Sequence, residues 1–245
     1  MIRLVISGIS GRMGKRIGAL AFKDKDFKIV GALEAKENPA VGKDIGEVLG
    51  VGSIGVKVAS DFTKGVSGCD VLIEFTYPDP TMEHLKAACR GKVGMVIGTT
   101  ALSRQQIEEI KKASEEIPIV FSPNMSIGAN LLFKITEEIS DALGKDYNVK
   151  ITEAHHKHKK DAPSGTAKRL GEAVMKARGK MPPIDSIRQG EIVGDHTVTF
   201  SGEVETIEVT HRAHSRDAFA KGALGAARFL AGKKPGLYTM HDVIA

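Results

Sequence analysis

From Glu153 to Thr166 the chain reads Glu-Ala-His-His-Lys-His-Lys-Lys-Asp-Ala-Pro-Ser-Gly-Thr, with three histidines and three lysines filling positions 155 to 160. A turn, Asp161-Ala162-Pro163, follows, and then Ser164-Gly165-Thr166 opens a run of helical character from Ala167 to Val174. Ser or Thr ahead of such a run is an N-cap signal. A helix start presents unpaired backbone N–H groups and a partial positive charge, which together attract anions. Cationic side chains thus stand next to a set of oriented donors. The ligand that suits them is a small molecule carrying one or two carboxylates or phosphates. Taken singly, a lysine-rich run is usually a solvated face and Ser-Gly-Thr only a cap. It is their adjacency that argues for a site. Zinc is the competing reading of His155, His156 and His158. The spacing matches no helical ligand pair and Cys69 and Cys89 are distant in sequence, so no metal is expected.

A second constellation lies at the start. Ile2 to Ser7 is a short apolar run suited to a buried parallel strand. It runs into Gly8-Ile9-Ser10-Gly11-Arg12-Met13-Gly14, and Lys15 to Phe22 then reads as a helix. Glycines at this junction allow a tight turn and the approach of a pyrophosphate to the backbone. The spacing, Gly-x-x-Gly-x-x-Gly, varies the usual dinucleotide fingerprint and is weak by itself. Context strengthens it: a second apolar run, Phe27 to Leu33, ends in Glu34, 20 positions after Gly14. An acid at that place typically holds ribose hydroxyls.

The elements that must position these residues alternate. Asn38 to Gly55 is glycine-rich and reads as a loop, and Val56-Lys-Val58 as a short strand. Asp70 to Phe75 is a buried strand broken by Thr76-Tyr-Pro-Asp-Pro80, with a helix over about Thr81 to Cys89. Gly94 to Ile97 is a strand ending in Gly98-Thr99-Thr100. Ser103 with Gln106 forms a capping-box pattern ahead of the next helix. Ile119 to Phe121 is a strand ending in Ser122-Pro123-Asn124-Met125. Such alternation predicts an α/β, doubly wound Rossmann-type parallel sheet, whose ligands bind beyond the carboxyl ends of its strands.

After Met125 the pattern changes. Ile127 to Leu143 has helical spacing, with Leu131, Ile135, Ile139 and Leu143 as its apolar stripe. Tyr147 to Glu153 alternates like a half-buried strand, and the pleat continued puts Glu153 and His155 on the face of Val149 and Ile151. Ser186 to Arg212 alternates again. This predicts a second, α+β domain with a mainly antiparallel sheet. The Ala/Gly-rich run from Asp217 to Leu230 suits close packing on a sheet. The expected domains are therefore residues 1–126 with 216–245 for the dinucleotide, and 127–215 for substrate binding and oligomerisation.

Composition narrows the function classes. Two cysteines in 245 residues argue against a disulfide framework and for a reducing compartment. No signal-peptide pattern or membrane-length apolar stretch is present. A net charge of +5 could serve nucleic acid, but the absence of Trp leaves few stacking platforms, and the cations cluster in one short segment. Neither a nucleic-acid nor a membrane partner is expected.

The motifs Gly8 to Gly14, Gly98-Thr99-Thr100, Ser122 to Met125, Glu153 to Thr166 and Gly190-Glu-Ile-Val-Gly-Asp-His196 together resemble the dihydrodipicolinate reductase family. The likeness runs from Ile2 to Val243. It implies reduction of 4-hydroxy-tetrahydrodipicolinate with NADH or NADPH, in lysine and diaminopimelate biosynthesis, by a cytoplasmic homotetramer joined through its second domain. Carried over by position, His155 and Lys159 match the catalytic pair, Lys159 as proton donor. His156, Ser164, Gly165 and Thr166 match the substrate-binding group. Gly8, Ile9, Ser10, Gly11, Arg12, Met13, Glu34, Gly98, Thr99, Thr100, Ser122, Pro123, Asn124 and Met125 match the cofactor contacts. Some members carry Arg directly after the acid of the second strand, where it can meet an adenosine 2′-phosphate. Here Ala35 stands there, with Lys36 beside it and Arg12 in the glycine loop, so both cofactors are expected to serve. Two readings compete: a related dehydrogenase acting on another small carboxylate, and a non-catalytic dinucleotide sensor. The first would lack the Glu153–Thr166 stretch.

Overall fold

A computed structural model describes residues 1–61 and 68–245 of the chain. By internal contacts these form two compact units, Met1–Met125 with Phe219–Ala245, and Ser126–Ala218.

The first unit is built on seven parallel strands: β1 (Ile2–Ser7), β2 (Phe27–Leu33), β3 (Val58–Ala59), β4 (Val71–Glu74), β5 (Gly94–Ile97), β6 (Pro118–Phe121) and β11 (Gly236–Tyr238). Their order is β11-β6-β5-β4-β1-β2-β3. The chain leaves β1 toward β2 on one side and returns to β4 on the other. The crevice for a ligand in such a sheet opens at that reversal, beyond the carboxyl ends of β1 and β4. Central strands buried on both faces read as unbroken apolar runs, and Leu4, Val5 and Ile6 are all fully buried. Leu4, Ile6, Val71 and Ile73 join a cluster with Ile17 and Ala21 of helix α1 (Arg12–Lys23) and with Ala220, Ala223, Ala227 and Leu230 of the helix Asp217–Leu230. Val5, Leu72, Met95 and Ile97 face the other way, onto Met82 and Leu85 of Pro78–Gly91 and Ile110 of Arg104–Ala113. Small residues on the last long helix keep its backbone close to the sheet.

The second unit carries a four-stranded sheet, β10-β9-β7-β8, from β7 (Asn148–His155), β8 (Ile184–Arg188), β9 (Asp195–Ser201) and β10 (Thr206–Arg212). β7 pairs antiparallel with β9 and parallel with β8, and β9 antiparallel with β10. Helices Ile127–Leu143 and Gly165–Arg178 supply Leu132, Phe133, Ala167 and Leu170 to a core with Ile151, Val198 and Phe200.

Several local expectations need correction. The helix expected from about Thr81 begins at Pro78, capped by Tyr77, because proline lacks only an N–H that the first helical turn leaves unpaired anyway. Val56 lies outside the third strand, which is Val58–Ala59, while Lys57 bridges singly to Asp44. The first helix starts at Arg12, three residues early. On Ile127–Leu143 the buried residues are Ala129, Asn130, Leu132, Phe133, Thr136 and Ser140; of the expected stripe, Ile139 and Leu143 pack against the core and Leu131 is exposed. Apolar spacing misled there because small and polar residues, Ser140 bonding back to the Thr136 carbonyl, fill the inner face. The capping box of Ser103 and Gln106 forms as its spacing predicts.

Candidate active site

The glycine loop leaves β1 at Gly8, whose φ of +78° excludes most side chains, and a Cβ there would meet the Phe75 carbonyl at 2.6 Å. A Cβ on Gly14 would fall 2.0 Å from the Gly8 carbonyl. No residue but glycine fits either place, and the loop is thereby drawn flat over the start of α1. Gly11 caps that helix with no side-chain hydrogen bond, and its first turn holds no acid. Open N–H groups and an uncontested positive end of the dipole suit a pyrophosphate. Glu34, at the end of β2, accepts from the Ser10 amide at 2.7 Å, the Ser10 hydroxyl at 2.5 Å and the Asn38 side-chain amide at 3.1 Å. The acid and the loop are thus tied together by their own hydrogen bonds. Asn38 was not singled out from the sequence. It lies in a loop without periodicity, and only the fold brings it to Glu34.

The other carboxyl-end tips belong to the same sheet. Gly98 accommodates the Phe75 ring, which would lie 2.3 Å from a Cβ at that position. Thr99 is buried and Thr100 exposed. The Ser122 hydroxyl donates to the Asn124 carbonyl at 2.8 Å, closing the turn that holds Pro123, and Met125 is buried in the first core cluster. Ile9 is fully buried; Arg12 is exposed and Met13 partly so.

In the second unit the centre is Glu153, fully buried at the end of β7. Its pleat neighbour His155 places Nδ1 2.5 Å from Oε2. Arg188, paired across from His155 on β8, donates to both carboxylate oxygens, at 2.9 and 2.7 Å. The Ser164 amide adds a fourth contact at 3.1 Å. Burial pushes the Glu153 carboxyl upward, but Arg188, Ser186, His155 and the Ser164 amide outweigh it and hold the group at about 2. Burial lowers the His155 imidazole from its ordinary value, against the raising effect of Glu153. Around neutral pH His155 is therefore uncharged, its Nδ1–H given to Glu153 and its Nε2 an acceptor.

Ser164 caps the helix Gly165–Arg178, its oxygen accepting from the Ala167 amide at 3.2 Å and lying 3.2 Å from His196 Nε2. The His155 and His196 rings meet edge to face at 5.1 Å, and His211 stacks beyond at 6.4 Å. Burial, reinforced by His155 and His211, pushes His196 down to about 3. Lys159 donates to Asp161 at 2.7 Å and holds that carboxyl below the usual carboxylate range. The His156 amide donates to the Ile192 carbonyl, tying the His155–Lys160 segment to the 190s loop. The unit thus gathers His155, His156, Lys159 and the Ser164-Gly165-Thr166 helix start at one end of its sheet. Glu153, Arg188, His196 and His211 were not among the expected site residues. The pleat read from the sequence places Glu153 on the face of His155, but assigns it no role in the site. Arg188 and the two histidines depend on strand pairing that no local pattern encodes.

A parallel sheet with a glycine-lined dinucleotide loop, joined in one chain to a unit bearing a buried Glu–His–Arg cluster and a cationic helix start, defines a two-domain nicotinamide-dependent oxidoreductase. The family follows from comparison with known proteins. The profile described as dihydrodipicolinate reductase, N-terminus, matches residues 2–125, and the one for its C-terminus matches residues 128–244. The chain belongs to the dihydrodipicolinate reductase family. It is 40% identical to the 4-hydroxy-tetrahydrodipicolinate reductase of Syntrophus aciditrophicus, covering 100% of this chain and 98% of that protein. It is 41% identical to the enzyme of the same name from Geotalea uraniireducens, covering 100% and 99%. The solved structure of dipicolinate-bound dihydrodipicolinate reductase from Paenisporosarcina sp. TG-14 covers both chains fully, with a TM-score of 0.85 at 23% identity, and bears on the fold.

Proposed function

We propose that this chain reduces 4-hydroxy-tetrahydrodipicolinate to tetrahydrodipicolinate in lysine and diaminopimelate biosynthesis, using NADH or NADPH, with the 4-hydroxyl leaving as water to give the conjugated ring that takes the hydride. The observation that carries the reading is the Glu153–His155–Arg188 cluster beside the Ser164 helix start, within a chain about 40% identical over its length to reductases of that name. Bound reduced nicotinamide supplies the hydride. Gly8, Ile9, Ser10, Gly11, Arg12 and Met13 hold its pyrophosphate side, Glu34 its adenosine ribose, and Gly98 to Thr100 with Ser122 to Met125 the rest.

The substrate is a ring with two carboxylates, as dipicolinate is in the Paenisporosarcina enzyme. His156, Ser164, Gly165 and Thr166 bind it. Charge-assisted hydrogen bonds contribute about 1.5–3 kcal/mol each, so two or three of them decide affinity. Hydride addition to a conjugated ring leaves electron density that a proton must quench at a neighbouring atom. Lys159 supplies that proton. His155, neutral and pinned by Glu153, accepts through Nε2 and orients the ring; it has no proton to give from that nitrogen. Residues 1–126 with 216–245 form the dinucleotide domain and 127–215 the substrate and oligomerisation domain of a cytoplasmic homotetramer. Among the described residues no helix is long and apolar enough to cross a membrane.

The test is oxidation of NADH or NADPH in the presence of the condensation product of pyruvate and aspartate semialdehyde. Turnover dependent on that product supports the assignment. Cofactor oxidation that ignores it, or none with either cofactor, sinks it.

A further inference from the structure

A second Glu–His pair, a buried carboxylate with a half-buried imidazole, lies in the first unit. Glu74 ends β4 and is fully buried. It stands in register with Ser7 of β1 and Ile97 of β5, so all three side chains point to one face of the sheet. His84, on the helix Pro78–Gly91 that covers this face, brings Nδ1 to 2.6 Å from Glu74 Oε2 and 3.2 Å from Ser7 Oγ. The other carboxylate oxygen of Glu74 accepts from the Thr76 hydroxyl. A carboxylate taken out of water in this way costs several kcal/mol unless its oxygens are matched by donors, as they are here. An apolar residue would be the cheaper choice for the core alone.

What the pair holds is the segment Phe75-Thr76-Tyr77. The Phe75 carbonyl and the Thr76 methyl stand against Gly8, at 2.6 and 3.2 Å from where its Cβ would be. The Phe75 ring lies against Gly98 on the other side. The Thr76 amide donates to Thr99 Oγ1 at 3.2 Å, and Thr81 Oγ1 lies 2.9 Å from the same oxygen. One short segment is therefore wedged between the first glycine of the pyrophosphate loop and the Gly98-Thr99-Thr100 tip. A displacement of Phe75 would move both, since neither glycine has a side chain to take up slack.

We infer that Glu74 and His84 are positioning residues for the dinucleotide: the pair fixes Phe75 and Thr76, and through them sets the spacing between the Gly8 and Gly98 loops. The inference rests on the nicotinamide cofactor binding at this edge. Neither residue needs to touch the cofactor, and the second unit plays no part, so the effect belongs in cofactor affinity and not in substrate affinity.

Calorimetric titration of NADH and, separately, of dipicolinate tests this on the full chain. His84→Ala is expected to weaken NADH binding at least about tenfold, while the dipicolinate Kd and the kcat at saturating cofactor stay within about twofold. His84→Asn is expected to recover most of the loss, because its side-chain amide nitrogen falls where Nδ1 stood and can still donate to Glu74. A merely structural histidine would not show this split or this rescue. Should His84→Ala fail to fold, the pair Glu74→Leu/His84→Leu fills the volume with no buried charge and must show the same selective loss of NADH affinity. NADH affinity within about twofold of wild type in the folded variants overturns the inference, as does an equal loss for His84→Asn or for dipicolinate. A wild-type chain that binds no NADH removes the cofactor reading itself, which the wild-type titration reveals before any variant is made.

Discussion

His155 Nδ1 lies 2.5 Å from Glu153 Oε2, two residues back on the same face of one strand. That contact settles how the imidazole can work. With Nδ1–H committed to a buried carboxylate, Nε2 carries the lone pair, and a Cβ on Gly194 would come within 3.1 Å of it. Burial keeps the ring uncharged. Under the proposed reaction His155 would accept and orient, the proton for the substrate would come from another group, and Lys159 is one of three lysines on the same segment. A carboxylate fixes the histidine and is itself held by an arginine, while Lys157 and Lys160 are exposed and Lys159, half-buried, is paired with Asp161.

Acid should unfold the wild type partly through Glu153. Its carboxyl, held at about 2 in the fold, has an ordinary value of 4.5. A depressed acid contributes stability that is fully present above the higher value and lost as pH falls toward the lower one. The window is thus about 4.5 down to about 2, and the full effect is on the order of 3 kcal/mol. Glu153→Gln should flatten the melting-temperature profile across that window and lower stability at neutral pH, where Arg188 keeps only the Ile187 and Asp161 carbonyls and loses its carboxylate. A variant that melts like wild type at both ends would show that the cluster is not a stabilising one.

The histidine row gives a separate signature at milder pH. His196 sits at about 3 in the fold against an ordinary 6.5, and His155 and His211 are shifted in the same direction by burial. Below about 6.5 the unfolded chain takes up protons that the folded chain refuses, so stability declines as pH drops from there toward about 3. His196→Phe should melt with a shallower slope between pH ~7.5 and ~5. An unchanged slope would mean that His196 titrates normally in the fold. The two windows overlap between about 4.5 and about 3, so the histidines are read from the melts above pH ~5, where Glu153 does not yet contribute.

Much of this arrangement was legible in the sequence, because its determinants are local. Apolar runs ending in glycine or serine mark β1, β5 and β6, one broken by Thr76-Tyr77-Pro78 marks β4, and Ser103 with Gln106 or Ser164 before its helix are caps that a few residues specify. The pleat carrying Glu153 and His155 to one buried face follows from period two alone. What stayed hidden is set by pairing across the chain. Arg188 reaches Glu153 because β8 lies beside β7, and His84 reaches Glu74 because a helix folds back over β4. Part of the inner face of Ile127–Leu143 was misread for a related reason: Ser140 is acceptable inside only once the Thr136 carbonyl, one helical turn back, accepts its hydroxyl.

Cofactor choice should be weak. Glu34 repels a 2′-phosphate and suits free ribose hydroxyls, and it is already steadied by Ser10 and Asn38. Arg12 is exposed in the glycine loop and Lys36 follows Ala35, so cations able to meet a phosphate lie close in sequence to both ends of that contact. Discrimination in kcat/KM at low salt is expected below about tenfold, or ~1.4 kcal/mol. Glu34→Ala should move the ratio toward NADPH, since it removes the repulsion and one ribose acceptor together. A hundredfold preference of the wild type in either direction is the result that would defeat this view.

The proton donor is the sharpest test of the site. Lys159 donates to Asp161 at 2.7 Å, and a bound dicarboxylate would offer it a second anion. Loss of a positioned general acid typically costs 10²–10⁴-fold in rate. Lys159→Ala should therefore cut kcat at least about a hundredfold while NADH still binds. His155→Ala should act in the same direction but less far, because the donor remains and only the orienting contact is gone. Thr166→Val should mainly raise KM, since a carboxylate contact made equally in the ground and transition states affects binding and not the chemical step. Lys157→Ala and Lys160→Ala remove charge from the same run without removing the proposed donor, and each should leave kcat within about threefold. If these two fall as far as Lys159→Ala, the segment acts as a diffuse attractor for anions and the donor must be sought elsewhere.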